Sequence, residues 1–457
     1  MSNVVDRFLR YIAVDTQSDD DSPTSPSTAK QFNLARILAD EMEKIGVSNV
    51  RLDEEFCYVY GEIPSNLEEG DVACGDAAKV VAGDAAGDGS AKVAGDAAGD
   101  GSSKVGGDAA GDSPKSPADG SANAVPAVGF IAHMDTAPGN PGDASNARIH
   151  KNYDGGIVKL NETTALDPAV YPEMKDYIGC DLIVTDGVSL LGADDKAGVA
   201  EIMTMAEELI NDPSIKHGKI GIAFTSDEEV GRGADHFDVK GFGMDFAYTV
   251  DGGPIGEIEY ENFNAAEARI KVTGRDIHPG SAKGIMVNAI RIAAELDGML
   301  PQEQRPEYTE GYDGFYHLLM MKGTEAEAEA RYIIRDHDAE LFDQKIKLMR
   351  TVAEYLNTKY NGAVELTIKE QYRNMRELVE PHMFLIDNAK AAFRKCDVEP
   401  KIVAIRGGTD GARLTYEGLP CPNLSTGGLN FHSRQEYIPV ESLEKIAEVM
   451  VELAKAK

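Results

Sequence analysis

The chain has 457 residues, 42% of them hydrophobic, and a net charge of −33. Such a length calls for two or three domains with a large buried core, and the acidity repels phosphate, which excludes nucleic acid and anionic membranes as natural partners. Five scattered cysteines with no CxxC pair argue against a disulfide framework or a thiolate zinc site, and they fit a reducing compartment.

The N-terminus carries Asp6 and Arg7 where a signal peptide needs an apolar run, and no stretch approaches the roughly 18 apolar residues of a membrane span. A cytoplasmic protein is expected. Apolar residues at helical spacing predict helices over 3–13 and 28–45, and 55–63 (EFCYVYGEI) reads as a strand. Composition then changes. From 67 to 124 the chain is mostly Gly, Ala, Asp, Ser and Lys without an aromatic residue, and it repeats with a period of twelve from Gly83, Gly95 and Gly107. Such a segment buries too little apolar surface to offset its ordering entropy, so a flexible insertion in a surface loop is expected. Calcium-binding Asp/Gly repeats run at nine residues with a GGxGxD core, which this one lacks. The segment holds eleven acids and four lysines, too few to account for the overall charge.

Four apolar, β-rich segments follow at 127–132, 219–226, 246–250 and 401–405, with helical patterns such as 195–212 between them. Strands alternating with helices imply an α/β fold with a mostly parallel sheet flanked by helices, and near-continuous apolar strands fit a sheet buried on both faces. Between 263 and 373 the pattern differs: strand (266–274), helix (286–300), strand (329–338), long helix (338–360), strand (363–372). This order suggests a small two-layer α+β domain of ferredoxin-like type inserted into the larger one. The expected division is 1–262 and 374–457 for the large domain and 263–373 for the insertion. A last helix is expected over 442–456.

Ligands of an open parallel sheet sit beyond the C-terminal ends of its strands. There the sequence places His133-Met134-Asp135 after 127–132 and Asp194-Asp195 after the apolar VSLL of 188–191. It also places Asp227-Glu228-Glu229 after 219–226, Asp251 after 246–250, and His432 after a short strand-like run. Taken singly, a strand-end histidine is more often structural, and adjacent acids usually form a solvated loop. Five such groups converging on one sheet edge instead suit two divalent cations, held by two terminal histidines, two terminal carboxylates and one bridging aspartate.

The runs GFIAHMDT, LLGADDKAG, FTSDEEVGRGA, TVDGGPIGEIEYENFNAA and RGGTDGARL resemble the M20 metallopeptidases, and within them the tripeptide aminopeptidase branch. So do VTGRDIHPGSAKGIMVNA, EGYDGFYHL and YIIRD in the middle section. The resemblance spans nearly the whole chain outside 67–124. It implies a zinc-exopeptidase-like fold and removal of the N-terminal residue from short peptides, most of all tripeptides. It implies two zinc ions per subunit, with cobalt or manganese as substitutes. His133 and Asp251 would each bind one zinc or the other, Asp194 would bridge them, and Glu229 and His432 would complete the sites. Glu228 would be the general base, and Asp135 would orient His133. The Asp194-Asp195 bond tends to be cis in the family. His278, in the HPG turn, would stabilise the oxyanion, and in dimeric relatives this histidine comes from the other subunit, so a homodimer through the lid domain is compatible. Arg335 would reach a substrate carboxylate, or else pair with Asp336 or Asp338. Asn288 and the 406–411 loop are weaker candidates for substrate contacts. Carboxypeptidase, dipeptidase or deacylase relatives would share the ligands, but ENFNAA, EGYDGFYHL and RGGTDGAR favour the tripeptide branch.

Overall fold

The computed structural model describes residues 2–68 and 125–456, and the repeat segment from 69 to 124, with Cys74, lies outside the described residues. Within them an eight-stranded sheet runs in the order Ser48–Leu52, Val59–Ile63, Ile220–Thr225, Val128–His133, Phe246–Gly252, Asn423–Ser425, Glu257–Asn262, Lys401–Ile405. Its centre is parallel: Val128–His133 lies between Ile220–Thr225 and Phe246–Gly252, and the latter pairs in parallel with Asn423–Ser425. Antiparallel pairings occur at Ser48–Leu52 with Val59–Ile63, at Val59–Ile63 with Ile220–Thr225, and at Glu257–Asn262 with Asn423–Ser425.

The central strands are buried along their whole length because both faces are covered. Phe130, Ile222, Phe224 and Tyr248 point to one side, where they meet helices Asn3–Ile12, Gln31–Ile45, Ala193–Asn211 and Val440–Ala454. The intervening Ile131, Ala223 and Ala247 point to the other, against Phe237, Phe242 and Leu414. Helix Gln31–Ile45 buries Leu34, Ala35, Leu38 and Met42 at helical spacing and stops at Gly46, whose φ of 99° makes the left-handed cap.

Two expectations shift here. The run KIVAI does form a strand, Lys401–Ile405, but at the sheet edge and half exposed; its apolar character reflects one packed face, not two. The VSLL segment at 188–191 is not a strand. The strand there is Leu182–Val184, the middle of a separate antiparallel sheet with Arg148–His150 and Tyr437–Pro439.

The middle section folds as a four-stranded antiparallel sheet ordered Phe315–Gly323, Glu327–Asp336, Asn264–Thr273, Val364–Tyr372. Helices Ala289–Met299 and Ala339–Lys359 cover one face and bury a core of its own, including Ile270, Ile292, Leu296, Tyr332, Ile334 and Phe342. The sequence reading lacked the edge strand Phe315–Gly323; with it the order is β-α-β-β-α-β. The chain enters and leaves this layer through three linked asparagines. Asn262 accepts from Met375 N at 2.8 Å, Asn264 accepts from Asn374 N at 3.0 Å, and Asn374 accepts from Asn262 N at 3.2 Å. Cys57, Cys180, Cys396 and Cys421 are free thiols. Among the described residues no helix is long and apolar enough to cross a membrane.

Candidate metal centre

Each side chain of the cluster is delivered by a backbone feature at the C-terminal edge of the large sheet. His133 ends its strand, in register with Thr225 of the neighbour. Asp251 lies near the end of Phe246–Gly252. Asp194 instead sits at the start of helix Ala193–Asn211, behind Gly192 at φ 79°, and is joined to Asp195 by a cis peptide bond. Glu228 and Glu229 open a short 3₁₀ turn behind Asp227, which is left-handed at φ 61°. His432 is also left-handed, at φ 61°. Residues with a side chain adopt that region uncommonly, aspartate and histidine more readily than most, and such positions cluster where the surrounding structure dictates them.

These turns bring five side chains together. The Nε2 of His133 lies 2.9 Å from Asp194 Oδ1 and 3.3 Å from Asp251 Oδ1. The Nε2 of His432 lies 3.0 Å from Asp194 Oδ2 and 2.8 Å from Glu229 Oε2. Two groups of donors result, His133–Asp194–Asp251 and Asp194–Glu229–His432, each with its ligand atoms within 4.8 Å of one another. Asp194 belongs to both and offers one oxygen to each. Imidazole nitrogen and carboxylate oxygen form a donor set suited to zinc and similar divalent ions. Glu229 Oε1 is buried without a hydrogen-bond partner among the described residues, as a ligand oxygen awaiting a cation would be.

The electrostatics have the same origin. Burial pushes the Glu228 carboxyl well up, with Asp251 adding to the effect, and it raises Glu229 to about 8 and Asp251 to about 6. His432 is raised to about 11 by its hydrogen bonds to Asp194 and Glu229. Burial opposes protonation of His133, yet Asp251, Asp135 and Asp194 together push it up. The carboxylates around each imidazole thus favour its charged form, as they would favour a cation in its place.

Buried carboxylates hold the ligand-bearing turns. Asp135 accepts from Glu228 N at 3.1 Å and Glu229 N at 3.2 Å, while its backbone oxygen lies 3.0 Å from His133 Nδ1 and Ser18 donates to its Oδ2. Asp195 accepts from His133 N at 3.1 Å. Asp227 accepts from Ser27 N and Gln31 Nε2, and Asp410 accepts from Thr225 Oγ1 at 2.9 Å. Glu436 accepts from Leu191, Gly192 and Asp194 N–H groups. Sequence reasoning missed Asp410 as a single residue and Glu436 altogether. Nothing local marks Glu436 within SRQEYIP, since its partners lie more than 240 residues away.

Three candidates stand apart from this cluster. His278 is exposed, and its Nδ1 accepts from Gly280 N at 3.1 Å in the HPG turn. Asn288 caps helix Ala289–Met299, its Oδ1 accepting from Arg291 N at 3.1 Å. Arg335 is half-buried on strand Glu327–Asp336, donates to the carbonyls of Ala266 and Ile334, and lies over the Tyr372 ring at 5.5 Å. It forms no ion pair among the described residues: Asp336 pairs with Lys345 at 2.8 Å, and Asp338 caps the following helix.

Comparisons with known proteins agree with this architecture. Residues 260–362 match the model of the peptidase dimerisation domain, M20_dimer. The chain is 47% identical over 458 residues to peptidase T of Caldanaerobacter subterraneus, covering 100% of this chain and 98% of that protein. It is 46% identical to peptidase T of Desulfitobacterium hafniense strain Y51, covering 99% and 98%. Among solved structures, aminopeptidase PepT from Bacillus cereus shares the fold at a TM-score of 0.68 and 21% identity, covering 99% of this chain and 97% of that one. A Staphylococcus aureus tripeptidase does so at 0.70 and 20%, with the same coverage. A dinuclear metal binding M20 peptidase from Bacillus subtilis matches at 0.58 and 12%, covering 99% and 96%. With near-complete coverage at close to half identity, and with this sheet, lid and donor set, the chain belongs to the peptidase T family of the M20 metallopeptidases.

Proposed function

We propose that the chain is an aminopeptidase that releases the N-terminal residue of tripeptides with the help of two divalent ions, zinc above cobalt or manganese. The observation that carries this reading is Asp194, shared between two three-residue donor groups at one sheet edge. His133, Asp194 and Asp251 would hold one ion, and Asp194, Glu229 and His432 the other. Such a pair, when bound, polarises a scissile carbonyl and acidifies water. Glu228 takes the proton of the attacking water and passes it to the leaving amine, a role suited to a carboxyl whose burial raises its affinity for protons. Asp135 orients His133 and, through its bonds to the 228 and 229 N–H groups, keeps base and ligand in register.

The layer at 263–373 serves as an inserted lid. On it Arg335, without a carboxylate partner among the described residues, binds the peptide's C-terminal carboxylate as a fork. Its distance from the metal pair sets the peptide length. Asn288, whose Oδ1 caps a helix, keeps its Nδ2 for a substrate carbonyl. His278 donates to the oxyanion from its Nε2, and its exposure suits delivery to the cluster of a second subunit in a homodimer formed through the lid.

The test is hydrolysis of a free tripeptide beside the matching dipeptide, tetrapeptide and N-acetyl tripeptide, with and without chelator. Chelator-sensitive release of the first residue from the tripeptide alone is expected. Cleavage of the acetylated peptide or the dipeptide instead would move the chain to a neighbouring activity of the same family.

A further inference from the structure

We propose that Glu436 is a positioning residue that fixes Asp194 against His432 and thereby sets the affinity of the second donor group. The inference rests on the two-ion reading above. The start of helix Ala193–Asn211 has a problem that its own sequence does not solve. Its cap position is Gly192, which has no side chain to accept the unpaired N–H groups of the first turn, and Asp194 and Asp195 depart from helical geometry. The carboxylate of Glu436 supplies an acceptor for Asp194 in that turn and holds the two residues before the helix as well. Its Oε2 accepts from Leu191 N at 2.8 Å and Gly192 N at 2.9 Å, and its Oε1 accepts from Asp194 N at 3.1 Å.

The origin of Glu436 gives this contact its meaning. It lies four residues after His432 and immediately before strand Tyr437–Pro439. That strand pairs with Leu182–Val184, the strand leading toward the Asp194 turn. Glu436 N in turn donates to Ser433 O at 3.2 Å, closing the His432 loop, and Ser433 Oγ donates to Asn430 O at 2.7 Å. One buried side chain therefore ties the backbone of the bridging aspartate to the loop that presents the histidine of the same donor group. Its hydrogen bonds reach neither the His133 strand nor the Asp251 strand, so their group shares only Asp194 with the clamp. Loss of this clamp should accordingly weaken the Asp194–Glu229–His432 site more than the His133–Asp194–Asp251 site.

Glu436→Gln tests this directly. The amide keeps the volume but replaces one acceptor oxygen with an NH₂ group that faces a backbone N–H. Zinc is titrated into the full-length, metal-stripped protein against a competing chromophoric chelator, giving two affinities for wild type and variant. The expected result is that one of the two affinities falls by about 10–100-fold, the usual effect of losing a partner behind a ligand, while the other changes far less. Met174→Ala is the control. Met174 is buried in the same apolar cluster as Tyr437 but lies in the 172–177 turn, away from every donor-bearing turn, so it should lower thermal stability without splitting the two affinities. Glu436→Asp, which keeps the charge on a shorter stem, serves if the glutamine variant does not fold, and it should give an intermediate loss. Two unchanged affinities in a folded variant, or the same split from Met174→Ala, would overturn the proposal. A wild-type protein that binds no zinc would instead overturn the two-ion reading on which it stands.

Discussion

Glu228 and Glu229 are adjacent in the chain yet differ in surroundings, and the difference is testable one residue at a time. Glu229 Oε2 meets His432 at 2.8 Å as part of a donor group, whereas Glu228 belongs to neither group. Glu228→Gln should therefore lower kcat by about 10²–10⁴-fold, the range for a general base, while elemental analysis finds wild-type metal content. Glu229→Gln should lose metal together with activity. A Glu228→Gln enzyme of near-normal kcat would remove the base from that position. Arg335 gives a second case. If it binds the peptide's C-terminal carboxylate, Arg335→Ala should reduce kcat/KM for a free tripeptide by about 10–100-fold, the worth of a charge-assisted hydrogen bond. Hydrolysis of the tripeptide amide should change little, and the preference for tripeptides over longer peptides should fall. Steady-state kinetics on the acid, the amide and a tetrapeptide check this, and an intact length preference would sink the ruler. The candidate donors that the structure brings together were legible in the sequence because imidazoles and carboxylates follow apolar runs that are recognisable as strands. Glu436 and Asp410 were not, because their meaning lies in hydrogen bonds to backbone far along the chain.

Elements differ in legibility for a related physical reason. Strands such as Val128–His133 are buried on both faces and so appear as unbroken apolar runs. Glu327–Asp336 alternates strictly between core and surface and is equally plain. Phe315–Gly323 has neither pattern: an edge strand with a register irregularity between Leu318 and Met320, it mixes aromatic, Met and Lys residues without a period. The β-rich KIVAI run shows the converse, since apolar composition alone does not distinguish an edge from a centre. Strand pairing also creates a titration that composition hides. Glu259 faces Asn423 across an antiparallel pair, accepts from its Nδ2 at 2.6 Å, and is 7% exposed, while Asn423 Oδ1 is buried with no partner among the described residues. Burial raises the Glu259 carboxyl from 4.5 to about 8, partly offset by that hydrogen bond. A raised folded value means that the native state holds the proton more tightly. Its stabilising contribution is therefore complete below 4.5 and declines by up to about 1.4 kcal/mol per pH unit until about pH 8. Glu259→Gln removes the titration, and its amide can also donate to the unpaired Asn423 oxygen. Denaturant melts should show the variant near wild type at pH 5 and clearly more stable at pH 9. Equal stability of the two proteins at pH 9 would mean that water or a shifted strand already compensates the charge.

At the scale of the whole molecule, the candidate metal donors and the proposed lid belong to different cores. All five donors hang on the large sheet and its helices, whose apolar cluster runs from Val4 to Ala454, whereas the lid buries Ile270, Leu296, Tyr332 and Phe342 among its own strands and helices. An ion that binds the folded state alone stabilises it by about 2.7 kcal/mol at a concentration a hundred times its Kd. That stabilisation should act on the large sheet, because unfolding the lid leaves every donor in place. Calorimetry of the metal-loaded and chelated protein should then resolve two transitions, one that falls when the ions are removed and one that does not move. The three linked asparagines at the crossings are the element that would defeat this expectation. Asn262, Asn264 and Asn374 join the two layers through backbone N–H groups on both sides, so they transmit unfolding if their hydrogen bonds outlast either core. A single transition shifting as one unit would locate the coupling there. Asn262→Ala, which strips the Met375 N–H of its acceptor, should then split that transition into two.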